Sequence, residues 1–505
     1  MVHVNDLNID SLEPRAVWEF FAGLAGVPRP SKKEGRVREH VRSVAQQRGL
    51  TVREDAAGNL LIEVPASAGC ESAPVVVLQG HLDMVCEKNA GTAHDFDNEP
   101  IRLVLDRDAE SNEAIVRADG TTLGADNGIG VALAFAAATS LEVTHGPLEI
   151  LCTVDEEAGM TGAKALSPGF FRAKTLLNLD SEEDDVIYIG CAGGCDSKLS
   201  WSFAASPVPA DAEWVRVSVA GLRGGHSGGD IHLNRASAVR LLARVLNECR
   251  GIRLAGIRGG SLRNAIAREA EAVVAGPAGI AETLASAAAR VQEETVREGG
   301  EARCAVRADR SAAESPAAAL AQGDTQRLLS ALVALPHGVL ALVPDMPGLV
   351  LASNNVGTVA SQPGGADGSL EVNVGCLSRS SSLAHVQRVV RQIAAVGRLA
   401  GADVSSGNAY PGWQPNVNSP LLALCRKVYE DQFGSAPRVT AIHAGLECGI
   451  IGDRMGGGLD MVSIGPRIRG AHSPDERVYV DSVRKSWQFL TAILATLAGH
   501  GPLSL

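Results

Sequence analysis

Residues Val75–Val85 read VVVLQGHLDMV, in which an apolar run and a glycine lead directly to His81 and Asp83. Side chains alternate faces along an extended segment, so His81 and Asp83 point the same way while Leu82 points back into the protein. Taken alone, the stretch is equally well a strand end whose polar residues merely meet water. The residues at the ends of the other predicted strands are therefore needed to distinguish a functional site from a solvated strand end.

Strand-like and helix-like segments alternate through residues 1–197, which predicts an α/β domain with a mostly parallel central sheet. A change of pattern from about Trp201 predicts an α+β domain at residues 198–402, with turn-rich loops such as SQPGGADGS. Residues 403–505 return to helix, strand and helix, and this tail is short for an independent domain. We interpret it as completing the first domain's sheet, with the middle domain inserted.

Individual elements follow from the same patterns. In the first segment we expect helices at Trp18–Leu24, Glu34–Gly49 and Ile129–Ala138, and strands at Leu60–Val64, Val75–Leu78, Leu148–Val154 and Thr175–Leu179. In the middle segment we expect, among others, strands at Trp214–Val219, Ala302–Val306, Leu349–Leu351 and Leu370–Val374. In the tail we expect a strand at Leu459–Ile464 between helices at Leu421–Phe433 and Ser486–Leu497.

Composition excludes several classes of function. The 505 residues are too many for one compact core, and 45% hydrophobic with 21% charged residues is typical of a soluble globular protein. A formal net charge of −12 argues against a nucleic-acid partner, because phosphate binding needs a basic surface. No apolar stretch approaches the ~20 residues of a membrane span, and MVHVNDLNIDSLEP lacks a signal-peptide pattern. Ten scattered cysteines predict buried thiols in a reducing cytoplasm.

Acidic or imidazole side chains also follow the other predicted strands. LGADNGIG places Asp126 just before a helical run, where backbone N–H groups favour an anion. Glu156 and Glu157 follow Leu148–Val154, and Asp180 follows Thr175–Leu179. RIRGAHSPDE, downstream of the last predicted strand, carries His472. Because ligand sites on open α/β sheets gather at the carboxyl ends of strands, these positions predict one shared site.

The residue count matches a two-metal site. If Asp126 bridges two ions, then His81 and Asp180 complete the contacts of one. Glu157 and His472 complete those of the other, and a shared water supplies the fourth position of a tetrahedron. This donor set favours zinc, although manganese or cobalt would accept it. Ions ~3.5–4 Å apart would lower the pKa of that water and stabilise a tetrahedral oxyanion.

Two carboxylates remain, and each has a role available. Asp83 can hold the other nitrogen of His81 and so fix its tautomer. Glu156 points away from Glu157 in an extended segment, so that one binds metal while the other faces the water as a general base. An acidic pair after a strand is otherwise a solvated turn; beside the other positions we favour the catalytic role.

Seven segments carry a resemblance: GHLDMV, LGADNGIG, DEEAGMTG, LDSEE, HSGGDIH, HAGLECG and GAHSPDERV. They resemble those of the cytosolic non-specific dipeptidases, also called aminoacyl-histidine or Xaa-His dipeptidases (peptidase D), in the clan of dizinc exopeptidases and aminoacylases. The match runs from about Leu12 to the C-terminus. It implies a dizinc exopeptidase-like catalytic domain, an inserted lid domain, two divalent metal ions and dipeptides as substrates. It also implies a cis peptide between Asp126 and Asn127.

The resemblance implies the same roles that the residue count gave. The metal ligands are His81, Asp126, Glu157, Asp180 and His472. Asp83 is the supporting carboxylate and Glu156 the base.

The inserted domain supplies weaker candidates. His226, in GLRGGHSGGDIH, is by residue type a histidine in a flexible turn; the resemblance makes it a lid residue that helps to hold the tetrahedral intermediate, within its own chain or across a homodimer. Arg379 and Asn264 are candidates for the peptide's terminal carboxylate and backbone, because arginine binds carboxylates through two hydrogen bonds. In HAGLECG, we interpret His443 as shaping the pocket and Glu447 as meeting the substrate's free amine.

The predicted function is metal-dependent hydrolysis of dipeptides, with Xaa-His and β-alanyl-histidine among the candidate substrates. The alternative is an amidohydrolase or deacylase that acts on N-acyl amino acids with the same dimetal centre. A non-catalytic binding protein that kept the fold would have lost a ligand or Glu156, and none of them is missing.

Overall fold

The computed structural model describes residues 11–310, 316, 318–344, 346–364 and 368–499. The chain divides into two compact units. The first contains the N-terminal segment up to Gly190, Trp413–Ala441 and the residues from Leu446 onward; the second contains Cys191–Gly412 and Ile442–Gly445. In the described residues, no helix combines the length and apolar character needed to cross a bilayer. All ten cysteines are free thiols, and eight of them are buried.

The N-terminal segment contributes five helices and eight strands to the described structure. In chain order they are α1 (Arg15–Ala25), α2 (Gly35–Gln47), β1 (Thr51–Glu54), β2 (Leu60–Val64), β3 (Val76–His81), β4 (Leu103–Arg107), β5 (Ala114–Ala118), α3 (Ala125–Thr139), β6 (Leu148–Thr153), α4 (Glu156–Gly159), α5 (Thr161–Ala165), β7 (Thr175–Asn178) and β8 (Val186–Cys191).

The middle of the chain contributes long antiparallel strands and four α-helices. They are β9 (Gly193–Pro207), β10 (Glu213–Ala220), β11 (Gly225–His226), α6 (Ala238–Glu248), β12 (Arg253–Gly259), β13 (Ala265–Ile266), β14 (Ala270–Gly276), α7 (Ile280–Gly299), β15 (Ala305–Arg310), β16 (Ala318–Leu320), α8 (Gln322–Ala334), β17 (Gly338–Leu342), β18 (Val350–Pro363), β19 (Ser369–Ser380), α9 (Leu383–Leu399) and β20 (Asp403–Tyr410).

The C-terminal segment returns to alternating helices and strands. It contains α10 (Pro420–Phe433), β21 (Arg438–Ile442), α11 (Glu447–Arg454), β22 (Asp460–Ser463), β23 (Ile468–Arg469), β24 (Arg477–Tyr479) and α12 (Val480–Gly499).

One eight-stranded sheet organises the first unit, in the order β1-β2-β6-β3-β7-β22-β8-β21. Its centre is parallel, because β3 pairs in parallel with β6 and β7, and β7 pairs in parallel with β22. All six residues of β3 are buried, which fits the apolar residues that begin the strand, although the buried strand also contains Gln79 and His81. The predicted α/β class is confirmed, while the strands that flank the parallel centre are antiparallel.

Helix α1 shows how a helix packs in the first unit. Its buried residues include Val17, Trp18, Phe21 and Leu24, which recur at the helical period and form one apolar face. Phe20 stacks on Phe135 of α3 with ring centroids 4.4 Å apart. α3 is buried almost all round, as its run of alanine and glycine suggests, because only small side chains allow so close a fit.

The second unit is built on a ten-stranded antiparallel sheet. Three strands expected in this unit differ from the prediction by more than one residue. The strand expected at Leu370–Val374 runs from Ser369 to Ser380. The strand expected at Ala302–Val306 begins at Ala305, because Cys304 N–H bonds the carbonyl of Glu301 (2.8 Å) and closes a turn first. The short strand expected at Leu349–Leu351 extends to Pro363. Its buried polar residues Ser353–Asn355 interrupt the apolar pattern from which the strand was predicted.

Candidate metal centre

The carboxyl ends of β3, β6 and β7 meet at one edge of the parallel sheet, because Gln79 lies opposite Asn178 and His81 opposite Thr153. His81 ends β3 and is 1% exposed. Its Nε2 lies 3.1 Å from Asp126 Oδ1 and 3.4 Å from Asp180 Oδ1. Three of the residues predicted to share a site are therefore in mutual contact.

A second group forms on the other side of Asp126. His472 Nε2 lies 3.2 Å from Asp126 Oδ2 and 3.1 Å from Glu157 Oε2. Each oxygen of Asp126 thus faces a different histidine. Both groups have donor atoms close enough together to hold one metal ion. Asp126 is the residue common to both.

Local backbone structure fixes where Asp126 points. Gly124 adopts a left-handed conformation (φ 71°), and the Asp126–Asn127 peptide is cis, as the resemblance implies. Asn127 donates from its side chain to the carbonyl of Leu179 (2.7 Å). Gly130 lets α3 approach β7, since a Cβ there would lie 2.1 Å from that same carbonyl oxygen. The loop that carries Asp126 is therefore held against the segment that leads to Asp180.

The tautomer of His81 shows that the donor set fits a cation. His81 Nδ1 lies 3.1 Å from the carbonyl oxygen of Asp83 and 3.4 Å from its carboxylate, so Nδ1 carries the proton. In a neutral imidazole Nε2 is then a lone pair that faces the oxygens of Asp126 and Asp180. Asp180 Oδ1 and Glu157 Oε1 are buried and, within the described chain, have no hydrogen-bond partner. Acceptors that converge in this way fit a divalent metal ion.

Asp83 holds both His81 and the acidic turn after β6. Its carboxylate accepts hydrogen bonds from the backbone N–H groups of Glu156 (3.0 Å) and Glu157 (3.2 Å) and from Ser31 Oγ (2.7 Å). Burial raises the pKa of Asp83, but the hydrogen bond and charge of His81, with these donors, outweigh burial and hold it at about 2. Asp83 therefore stays ionised.

The remaining carboxylates are crowded and desolvated. Burial raises the pKa of Glu156 well above its usual 4.5, and Asp180, Glu447 and Glu157 add to the rise while His81 opposes it. Burial likewise raises the pKa of Asp180 to about 6. Hydrogen bonds to Asp126 and Glu157 raise the pKa of His472 to about 11. The cluster has more negative charge than its own residues neutralise.

Two residues that the sequence did not reveal hold the loops of the centre. Glu476 is buried and accepts from the N–H groups of Leu123, Gly124 and Asp126 at 2.7, 2.9 and 3.2 Å. Arg29, also buried, donates to the carbonyls of Leu82, Asp83 and Gly124. Both act through backbone atoms of other segments, and the only sequence signal for Glu476 was its place in the segment that carries His472.

Glu447 lies at the start of α11 in the first unit and is fully buried. Its Oε2 accepts from Gln79 Nε2 (2.6 Å) and Thr153 Oγ1 (2.5 Å). Its Oε1 has no hydrogen-bond partner among the described residues, and burial raises its pKa to about 7. A contact with a substrate amine stays a prediction.

The second unit brings its three candidates close together. His226 Nδ1 accepts from Gly229 N–H (3.0 Å), and its Nε2 lies 3.4 Å from Arg379 Nη2. Arg379 is 6% exposed and also donates through Nη1 to the Tyr410 hydroxyl (2.9 Å). Asn264 is exposed beside His226, and its carbonyl accepts from Ser227 N–H (2.8 Å).

His443 belongs to the same unit and contacts Ser353, with Nε2 2.7 Å from Ser353 Oγ. Burial, and after it the nearby charge of Arg379, lower the pKa of His443 to about 3. His443 is therefore a neutral imidazole at physiological pH.

Comparison with protein families places the chain in a known class. Residues 77–496 match the model of peptidase family M20/M25/M40, and the chain belongs to this family. Membership implies divalent metal ions, in agreement with the donor set.

Three individual proteins are similar to this chain along most of its length. The cytosol non-specific dipeptidase of Escherichia coli (strain K12) is 41% identical over 489 residues, which cover 96% of this chain and 98% of that protein. The crystal structure of aminoacylhistidine dipeptidase from Vibrio alginolyticus is 39% identical and covers 99% of each chain, with a TM-score of 0.87. A tripeptidase from Staphylococcus aureus shares the fold at 14% identity, covers 97% of this chain and all of its own, and has a TM-score of 0.59. The family resemblance read from the sequence motifs is confirmed.

Proposed function

We propose that this chain is a metal-dependent dipeptidase that hydrolyses the peptide bond of unblocked dipeptides, with Xaa-His and β-alanyl-histidine among the candidates. The observation that carries the proposal is Asp126, whose two oxygens face two separate histidine–carboxylate groups. The near full-length similarity to the E. coli dipeptidase supports the substrate class. That relative is a cytosol enzyme, which supports the cytoplasmic location expected from the thiols.

Five side chains would hold two metal ions. His81 and Asp180 would bind one ion, Glu157 and His472 the other, and Asp126 both. Imidazole with carboxylate favours zinc, and manganese or cobalt also suits these donors. Bound there, the ions would polarise the scissile carbonyl and lower the pKa of an attacking water.

Glu156 is the proposed general base. Its backbone N–H is tied to Asp83, which fixes the turn, and its carboxylate is desolvated beside His81 and Glu157. From this position it accepts the proton of the attacking water and returns it to the departing amine. Asp83 positions the site through His81 and has no proton to transfer, because it stays ionised.

Arg379 and His226 are the proposed binding groups for the substrate's terminal carboxylate. Because Gly229 N–H occupies Nδ1 of His226, the neutral imidazole carries its proton on Nε2. That N–H and the Arg379 guanidinium are then two donors only 3.4 Å apart. In the described chain no carboxylate forms a salt bridge with Arg379, and its Nε has no partner. A buried guanidinium and an imidazole N–H that converge without an acceptor favour an anionic ligand. Asn264, beside His226, is proposed for the peptide backbone.

Hydrolysis assays on purified protein test the function. We expect cleavage of free dipeptides, loss of cleavage on chelation, and recovery with zinc, manganese or cobalt. Matched N-acetylated dipeptides should be poor substrates. Preferential cleavage of N-acyl amino acids would instead establish the deacylase alternative, and full activity in metal-free protein would contradict both.

A further inference from the structure

A row of three residues crosses neighbouring strands of the second unit. Arg379 on β19 lies opposite Gly194 on β9, and Gly194 lies opposite Tyr410 on β20. Residues directly opposite each other on antiparallel strands share one face of the sheet. Gly194 belongs to CAGGC, a motif that has no part in the metal centre.

Position 194 is a glycine because Tyr410 occupies the space that a side chain there would need. A Cβ at Gly194 would lie 2.9 Å from both Cε1 and the hydroxyl oxygen of Tyr410. A Cβ at the preceding Gly193 would lie 2.4 Å from the Tyr410 carbonyl oxygen. The paired glycines therefore let the backbone and the ring of Tyr410 pack closely against β9, while the hydroxyl reaches Arg379 on β19.

The hydroxyl of Tyr410 meets one end of the guanidinium. Arg379 Nη1 donates to it over 2.9 Å, while Nη2 approaches His226 and Nε has no partner in the described chain. Nε and Nη2 form the edge of the planar fork that binds carboxylates through two parallel hydrogen bonds. Tyr410 thus binds Nη1, the nitrogen that a carboxylate bound to Nε and Nη2 does not need.

The acceptor on Arg379 is also neutral. Burial raises the pKa of Tyr410, so its phenol stays protonated. A carboxylate in its place would orient Arg379 equally well but would cancel the charge that an anionic ligand needs.

We propose that Tyr410, seated on Gly194, is a positioning residue that fixes Arg379 with its Nε–Nη2 edge free for the terminal carboxylate of the substrate. This inference rests on the proposed function and deepens it. Tyr410 sets the preference of the enzyme for a free C-terminus without touching the reacting bond.

The test is Tyr410→Phe, which removes only the hydroxyl. We expect KM for a free dipeptide to rise ~3–10-fold, the scale of one hydrogen bond, with kcat little changed. The kcat/KM for the C-terminally amidated dipeptide should stay the same, because the amide does not use the charge of Arg379. The preference for the free dipeptide should therefore shrink. Tyr479→Phe is the matched control, since it loses a buried hydroxyl bonded to Asp108 (2.9 Å) and should leave the preference intact.

A double-mutant cycle separates positioning from a general structural role. In an Arg379→Ala background, Tyr410→Phe should have no further effect on the preference, because the group it orients is absent. Gly194→Ala, which displaces the ring, should reproduce Tyr410→Phe.

Three results would overturn the inference. If Arg379→Ala abolishes the preference but Tyr410→Phe keeps it, Tyr410 does not position Arg379. If Tyr410→Phe slows both substrates equally and lowers Tm, its role is structural. If the unmutated enzyme cleaves dipeptide and amide equally, the carboxylate role of Arg379 is wrong, and so is the inference about Tyr410. Failure of the unmutated enzyme to cleave any dipeptide would instead contradict the proposed function.

Discussion

The two units carry sites with opposite electrostatic deficits. In the first, Asp126, Glu157 and Asp180 crowd around two histidines. Burial raises the pKa of Asp180 to about 6 against the opposing effect of His81, and Asp126 and Glu157 add to the rise. In the second, Arg379 is buried with neutral partners. The side chains of the first site suit a cation, and those of the second suit an anion. A binding site is therefore recognised by the charge that its own residues leave uncompensated.

Removing the shared carboxylate should break the first site completely. Asp126→Ala is expected to lose bound metal and at least ~10³-fold in kcat/KM, because both ions lose a ligand. Elemental analysis and dipeptide assays measure the two losses. Asp211→Ala, at an exposed acidic position, is the control. Two ions per chain in Asp126→Ala would show that Asp126 does not join the groups.

Glu156→Gln separates the base from the ligands within that site. We expect kcat to fall by ~10² or more while both metal ions remain, since the amide cannot accept a proton. The measurements are kcat and metal content on the same sample. Near-normal turnover would assign the base elsewhere.

The second site should control selectivity more than rate. C-terminally amidated dipeptides and tripeptides should react at least ~10-fold more slowly than free dipeptides, because Arg379 is left without its anion. Arg379→Ala should narrow that gap by slowing free dipeptides. His226→Ala should lower turnover on every substrate, because the family resemblance also makes His226 a residue that helps to hold the tetrahedral intermediate. Steady-state rates of each variant on matched free and amidated dipeptides measure these effects. Equal rates on both substrates in the unmutated enzyme would show that Arg379 does not bind the terminal carboxylate.

The smallest effect concerns stability. His443 has a pKa of about 3 in the folded protein against an ordinary 6.5, because burial and then Arg379 disfavour its charged form. Between these values the unfolded chain binds a proton that the folded chain does not, so the free energy of unfolding decreases as pH falls from about 6.5 towards 3. His443→Gln should make that decrease shallower in Tm measurements across this range. The exposed His232 provides the control, and identical slopes would contradict the assignment.

The same comparison shows what a sequence can reveal. His81, Asp180 and Glu157 were predictable because each follows a short apolar strand, and parallel strands bring their ends together. Arg29 and Glu476 were not, because they bind backbone atoms of segments far away in the chain. The contact of Tyr410 with Arg379 was not predictable either, because it depends on the register of β9, β19 and β20. No local sequence pattern indicates that register.

The position of β22 in the first unit's sheet has a consequence for biosynthesis. β22 lies between β7 and β8, and Ser463 contacts Asn178, which is 285 residues earlier in the chain. The strands of the N-terminal segment emerge from the ribosome with this place in the sheet empty, and it is filled only after the second unit has been translated. The second unit is complete in sequence earlier, apart from Ile442–Gly445. We therefore expect the second unit to fold first on the ribosome and the metal centre to assemble last.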